Sequence, residues 1–249
     1  MENYMYLGLD LGTSGVKALL MDGDQKIVGS ANGSLEVSRP HHGWSEQDPA
    51  DWIAATKTAV EGLKQKFAKE LAAVKGIGLS GQMHGATLID ASGNVLRPCI
   101  LWNDTRSYAE AAELDADPRF RKITGNIVFP GFTAPKLAWV AKNEPEIFAK
   151  VAKVLLPKDY LRLWLTGEYI SEMSDSAGTR GWIPVRANGL PIFWRRPALK
   201  KNTCRRWLKA PRRQVCCVPS SPPNGALRAR PWWPAVRVTM PLPPAAWAR

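Results

Sequence analysis

Asp10-Leu11-Gly12-Thr13-Ser14-Gly15-Val16-Lys17 lies between two short apolar runs, Tyr4 to Leu9 and Val16 to Met21. A carboxylate at a strand end, followed by glycines, hydroxyls and an amine, predicts a tight hairpin that receives phosphate. Gly12 and Gly15 are expected to take positive φ and bring backbone close to a ligand, while Thr13, Ser14 and the local N–H groups donate to anionic oxygens. Lys17 adds a positive charge. Asp10 is acceptor-only, so beside phosphate it needs a divalent cation between the two. The same octapeptide also suits an ordinary hairpin with Gly and Ser in its turn.

Outward from this passage, residues 4 to 37 read as three strands: Tyr4 to Leu9, Val16 to Met21 and, after the turn Asp22-Gly23-Asp24, Ile27 to Val37. Asp48-Pro49 then opens a helix that runs to about Phe67, with Trp52, Ile53, Val60, Leu63 and Phe67 on its apolar side. Val74 to Leu79 is a short buried strand, and Ala86 to Asp90 another. Beyond Trp102 the pattern turns helical over 106–114, 134–142, 145–148 and 158–165, with Gly167 as a C-cap. Strands mixed with helices in this order predict an α/β domain.

The chain has 249 residues, enough for one large core or two modest ones, and a formal net charge of +12. That charge is unevenly placed. Gly181 to Arg249 contains 14 Lys and Arg and no Asp or Glu, whereas the first 180 residues hold 20 basic and all 22 acidic groups. The same tail holds 12 of the 20 Pro, 6 of the 11 Trp and 3 of the 4 Cys, so helical or strand periodicity does not survive in it. The reading is therefore a domain over 1–180 and an irregular, basic, disordered tail over 181–249.

No apolar run approaches the roughly 18 residues that cross a bilayer, and no basic-then-apolar secretory pattern opens the chain. A cytoplasmic protein without a membrane partner is expected. Cys99, Cys204, Cys216 and Cys217 follow no metal-ligand spacing, which argues for reduced thiols.

Two further passages carry polar groups suited to chemistry. Gly81-Gln82-Met83-His84-Gly85 follows a buried strand and sets an imidazole between glycines, with Gln82 supplying an amide donor and acceptor for a polyhydroxylated ligand. Leu101-Trp102-Asn103-Asp104-Thr105-Arg106 gathers Asn103 and Asp104 where α/β ligand sites collect, although Asp104 equally suits the N-cap of a following helix. His41, His42 and Trp44 read as a solvated loop. Gly131 to Trp139 begins an amphipathic helix with Leu137 and Trp139 as packing residues.

Taken in order, these passages resemble the FGGY family of carbohydrate kinases, most closely its bacterial xylulose-phosphorylating branch. The resemblance covers residues 5 to 180. It rests on Asp10 to Lys17, Trp44-Ser45-Glu46-Gln47-Asp48-Pro49, Met83-His84, Leu101 to Asp104, Gly131 to Asn143 with Lys136 and Trp139, Leu156 to Tyr160 and Ser174 to Thr179. It implies the N-terminal domain, incomplete here, of an actin-like, ribonuclease-H-like fold that closes on sugar and ATP. It implies transfer of the ATP γ-phosphoryl group to the 5-hydroxyl of D-xylulose with Mg2+, and a homodimer in the full-length protein. Gly12, Thr13, Ser14 and Lys17 would then lie at the phosphates and Asp10 would hold the metal. Gln82, Met83, His84, Asn103 and Asp104 would meet sugar. Ribulose, gluconate and glycerol are the alternative acceptors within the family. The family's general-base Asp sits in a Gly-Asp-Asn segment that this chain lacks, so the fragment is expected to be inactive.

A frame error near Thr179 to Trp182 accounts for the compositional break. Shifted by one register, the codons of Trp232-Trp233-Pro234 force Val then Ala, and those around Arg230 to Pro241 permit Pro-Val-Val-Ala-Gly-Gly-Ala-Gly-Asp-Asn-Ala, which resembles the family's catalytic segment. The alternative is a genuine RNA-binding tail in which Arg and Trp interleave; no specific nucleic-acid partner is expected under the frame-error reading.

Overall fold

The structure is a computed structural model that describes residues 4–179 and two short segments, 215–216 and 237–239. Apart from those two segments, the frame-error, disordered-tail and RNA-binding readings fall on residues outside the described ones.

The central sheet grows from the predicted meander. Strand β1 (Met5–Leu11) buries Met5, Leu7, Leu9 and Leu11 by strict alternation and pairs antiparallel with β2 (Gly15–Asp22), which buries Val16, Ala18 and Leu20. Strand β3 (Ile27–Ser34) continues the meander but stops three residues short of Val37. After the two-residue β4 (Glu46–Gln47), helix α1 (Pro49–Lys66) crosses over the sheet. Its start follows from chemistry: the Asp48 carboxylate accepts from the Ala50 N–H at 2.8 Å, and Pro49 occupies the first turn, where its missing N–H costs nothing. The short α2 (Ala68–Ala72) leads into β5 (Val74–Gly81), which pairs parallel with β1 on the side away from β2. Trp52, Ala59 and Leu63 of α1 fill the core against these strands.

The remaining elements follow β5 in the chain, and the helix Pro157–Thr166 among them adds Leu161 to the core of the central sheet. Strands β6 (Thr87–Ile89) and β7 (Cys99–Ile100) precede α3 (Tyr108–Asp115), α4 (Pro118–Thr124), α5 (Thr133–Asn143) and α6 (Pro145–Lys150). Then come β8 (Lys153–Leu155), α7 (Pro157–Thr166) and α8 (Met173–Ala177). Leu137 and Val140 of α5 close a second core with Leu88 and Ile100. Gly167 ends α7 in the left-handed region at φ 74°, as its position predicts. Two strands, β9 (Val215–Cys216) and β10 (Arg237–Thr239), extend the sheet to the order β3-β2-β1-β5-β10-β9.

Two expectations are corrected. Neither Gly12 nor Gly15 has positive φ. At Gly15 the requirement is space, since a Cβ there would sit 2.7 Å from the Gly33 carbonyl oxygen of the neighbouring strand. Helix α3 starts at Tyr108 with Ser107 as its N-cap residue, so Asp104 caps no helix. Among the described residues no helix is long and apolar enough to cross a membrane.

Candidate active site

Strands β1 and β5 run parallel with Asp10 opposite Ser80 and Leu11 opposite Gly81, so the chains leaving them emerge side by side. One becomes the 12–14 hairpin, the other the Gln82–Gly85 loop. The Gln82 N–H donates to the Leu11 carbonyl at 2.7 Å, and the Thr13 hydroxyl donates to Gln82 Oε1 at 3.3 Å. Trp102 joins them by donating its Nε1–H to Thr13 Oγ1 at 3.0 Å. Three passages far apart in sequence thus meet beyond the carboxyl ends of β1 and β5.

Gln47 fastens this junction from beneath. Its amide donates to the carbonyls of Thr13 (2.7 Å) and Glu36 (3.0 Å), and its Oε1 accepts from Trp52 Nε1 and Gln82 Nε2, each at 3.0 Å. That uses every hydrogen-bonding position of a primary amide.

Asp10, Ser14 and Lys17 are exposed, with Asp10 directly across the β1–β2 ladder from Lys17. The hairpin closes through Gly12 N–H to the Gly15 carbonyl at 3.0 Å, and the Ser14 carbonyl accepts from Leu35. Among the described residues, the Thr13 and Ser14 N–H groups donate to no protein acceptor. Free amide donors, the Ser14 hydroxyl and a lysine close to one turn fit an anionic, phosphate-sized group, whereas the Thr13 hydroxyl is engaged by Gln82 and Trp102. No cluster of three or more His, Cys, Asp or Glu suited to a metal occurs among the described residues. The exposed Asp10 carboxylate would supply one oxygen ligand to a divalent cation held beside such a group.

The second loop is unusual in its backbone. His84 takes φ 61°, and Gly85 N–H donates to the Met83 carbonyl at 2.8 Å, which makes a three-residue γ-turn with His84 at its centre. The left-handed conformation expected at the hairpin glycines is found here instead. Met83 is 43% exposed, and the His84 ring meets Phe132 edge-on at 4.9 Å.

Asn103 is exposed on the neighbouring loop, whereas Asp104 is 1% exposed. The Asp104 carboxylate accepts from Ser45 N–H (2.6 Å), Arg106 N–H (2.9 Å), Arg106 Nε (2.9 Å) and Arg106 Nη2 (2.7 Å). It ties residues 44–47 to the loop that carries Trp102 and Asn103. Gln47, Trp102 and Arg106 were not singled out as site residues from sequence. Their signal was membership of the quoted Trp44 to Pro49 and Leu101 to Arg106 runs.

Lys136 is fully buried at the start of α5, and its Nζ donates to the carbonyls of Gly131 (2.7 Å) and His84 (3.0 Å). Burial pulls this amine down from 10.5 to about 7, against the opposing pull of the Asp104 carboxylate and with the help of Arg106. Burial likewise raises the Cys99 thiol to about 11, so it stays protonated. The sign of the resulting linkage follows directly. Below about pH 7 folded and unfolded chains both hold the Lys136 proton; between there and 10.5 only the unfolded chain does, so rising pH favours the fold. The stability difference between the parent chain and Lys136→Met should climb by up to about 1.4 kcal/mol per pH unit above neutrality. Urea unfolding at a series of pH values measures it, and parallel curves would refute it.

Comparison with known proteins gives a consistent result. The profile described as "FGGY family of carbohydrate kinases, N-terminal domain" matches residues 5–187. The xylulose kinase of Escherichia coli K12 is 56% identical over 182 residues, which are 73% of this chain and 37% of that protein. A crystal structure titled as a "xyloylose kinase" from Brucella ovis is 75% identical with a TM-score of 0.72, covering 73% of this chain and 37% of the other. The xylulose kinase structure from Rhodospirillum rubrum is 32% identical with a TM-score of 0.68, covering 72% and 37% respectively. The chain thus spans little more than a third of the length of these relatives.

Proposed function

Because the chain belongs to the FGGY family of carbohydrate kinases, with its actin-like ATPase fold, we propose that it is the sugar-facing part of an enzyme that phosphorylates the 5-hydroxyl of D-xylulose in the cytoplasm. The observation that supports this reading is the Thr13–Gln82–Trp102 junction, which joins the hairpin read as phosphate-binding to the loop that carries Met83 and His84. Similarity to proteins named xylulose kinases supports the choice of sugar.

In this reading ATP with Mg2+ supplies the transferable phosphoryl group and its charge neutralisation. Thr13 and Ser14 amides, the Ser14 hydroxyl and Lys17 hold phosphate oxygens at the Gly12 turn, and Asp10 would face the metal, while the Thr13 hydroxyl stays with Gln82 and Trp102. Met83 and Asn103, both exposed, present an apolar and an amide surface to the sugar beside His84 and Gln82. Asp104 takes part by holding this loop in place through Ser45 and Arg106. Catalysis of phosphoryl transfer depends on such positioning and on a carboxylate to accept the hydroxyl proton. The Gly-Asp-Asn segment that carries it in the family does not occur in this sequence. Residues 181–249 are accordingly read as an out-of-frame tail, and 1–180 as the kinase part.

The test has two arms. A coupled assay with D-xylulose and ATP on this chain is expected to show no turnover, and measurable turnover refutes its inactivity. The gene resequenced across the Thr179 codon and restored in frame is expected to phosphorylate D-xylulose faster than ribulose, gluconate or glycerol. An intact frame removes the tail reading, and a faster alternative acceptor removes the substrate.

A further inference from the structure

We infer that Lys136 and Thr133 form a clamp that holds the His84 γ-turn in shape and thereby sets Met83 and His84 toward the sugar. The inference rests on the sugar-binding reading of this loop and adds a positioning role that the reading does not contain.

A γ-turn with positive φ at its centre is strained for any residue with a side chain, and persists only where surroundings over-determine it. Here the surroundings are specific. The His84 carbonyl accepts twice, from Thr133 Oγ1 and from Lys136 Nζ, each at 3.0 Å. Lys136 Nζ also donates to Gly131 O at 2.7 Å, which ties the turn to the segment entering α5. From below, a side chain at Gly85 would meet Pro157 Cγ at 2.6 Å and Cys99 Sγ at 3.0 Å, so the turn has one seat.

The placement of the lysine is the second argument. A lysine ammonium is seldom buried without a carboxylate partner. Among the described residues no carboxylate lies within ion-pair distance of Nζ; its partners are two backbone carbonyls. Shifting of its titration toward neutrality by burial agrees with that cost. A methionine would fill similar volume without the charge, so packing alone does not call for lysine at this site. What lysine adds is a donor with reach and two simultaneous acceptors.

The experiment compares Lys136→Met, Thr133→Val and Thr133→Ser in this chain. Amide hydrogen exchange at Gly85, whose N–H closes the turn, is expected to accelerate about tenfold in Lys136→Met and Thr133→Val and to stay unchanged in Thr133→Ser. D-xylulose affinity by calorimetry should fall about tenfold in the same two variants, with thermal midpoint changes that do not track the loss. Unchanged Gly85 exchange in folded variants overturns the clamp. Should Lys136→Met fail to fold, Thr133→Val decides alone. Faster exchange in a chain that binds no D-xylulose upholds the clamp and refutes the sugar reading, which keeps the two failures distinct.

Discussion

Arg106→Met is expected to lower the unfolding free energy by about 3–5 kcal/mol, the range for breaking a buried ion pair by removing one partner. The side chain of Arg106 is 1% exposed and that of Asp104 is 0% exposed. Arg106 pairs with Asp104 and with Glu46, each at 2.7 Å, while its guanidinium carbon lies 3.6 Å from the centre of the Trp44 ring and 5.1 Å from that of Trp139. Methionine fills part of the slot between the two indoles but leaves the Asp104 carboxylate with only backbone donors. Glu46 retains Arg97, which also pairs with Glu144 at 2.9 Å, so most of the penalty falls on Asp104. Arg106→Lys should recover less than half, because an ammonium cannot reproduce the fork. Adding Asp104→Asn to Arg106→Met should recover a large share, and the double-mutant cycle in urea isolates the pair. A loss below about 1 kcal/mol for the single variant would mean that the pair contributes no more than a surface one.

Trp52→Ala is expected to cost a similar amount, about 3–5 kcal/mol, as for other large aromatic truncations in a core. Trp52 is completely buried and meets the Tyr160 ring edge-on at 6.2 Å, so a cavity opens between α1 and α7. The informative companion is Trp52→Phe, which keeps most of the volume and removes the donor to Gln47 Oε1. Its cost should be near 1 kcal/mol. Because Gln47 uses all four of its hydrogen-bonding positions, losing one frees it to rotate, and the Thr13 carbonyl and Gln82 amide lose a fixed partner. Amide chemical shifts at Thr13 and Ser14 should move in Trp52→Phe as well as in Trp52→Ala. Shifts confined to α1 would show that the amide is not the link between core and hairpin.

Much of the fold could be read from residue order because local chemistry and tertiary packing agree there. The β1–β2 hairpin, the Asp48–Pro49 helix start and the Gly167 helix end each follow from one or two residues with a single good conformation. The site was harder for identifiable reasons. The hairpin pattern predicts positive φ at Gly12 and Gly15, but at Gly15 the glycine is needed for the approach of Gly33, a neighbour supplied by β3. Asp104 suits a helix cap by sequence, and its engagement by Arg106 leaves the helix to start later. Nothing in the sequence marks Lys136 as buried, since lysine is almost always exposed. Strands β4 and β7 have two residues each, too few for alternation to register. What escaped sequence reasoning was chiefly long-range polar pairing, which carries no period.

The parallel alignment of Asp10 with Ser80 and Leu11 with Gly81 also limits how this site can be rebuilt. Deleting or adding one residue inside either strand would turn every side chain beyond that point to the opposite face of the sheet, moving apolar groups into water and displacing the partner segment by a full residue. Selection for folded variants should therefore find viable insertions in the crossover tips and almost none between Met5 and Leu11 or between Val74 and Gly81. Libraries that vary tip length while holding the 7 residues of β1 and the 8 of β5 constant would keep the two halves of the site facing each other.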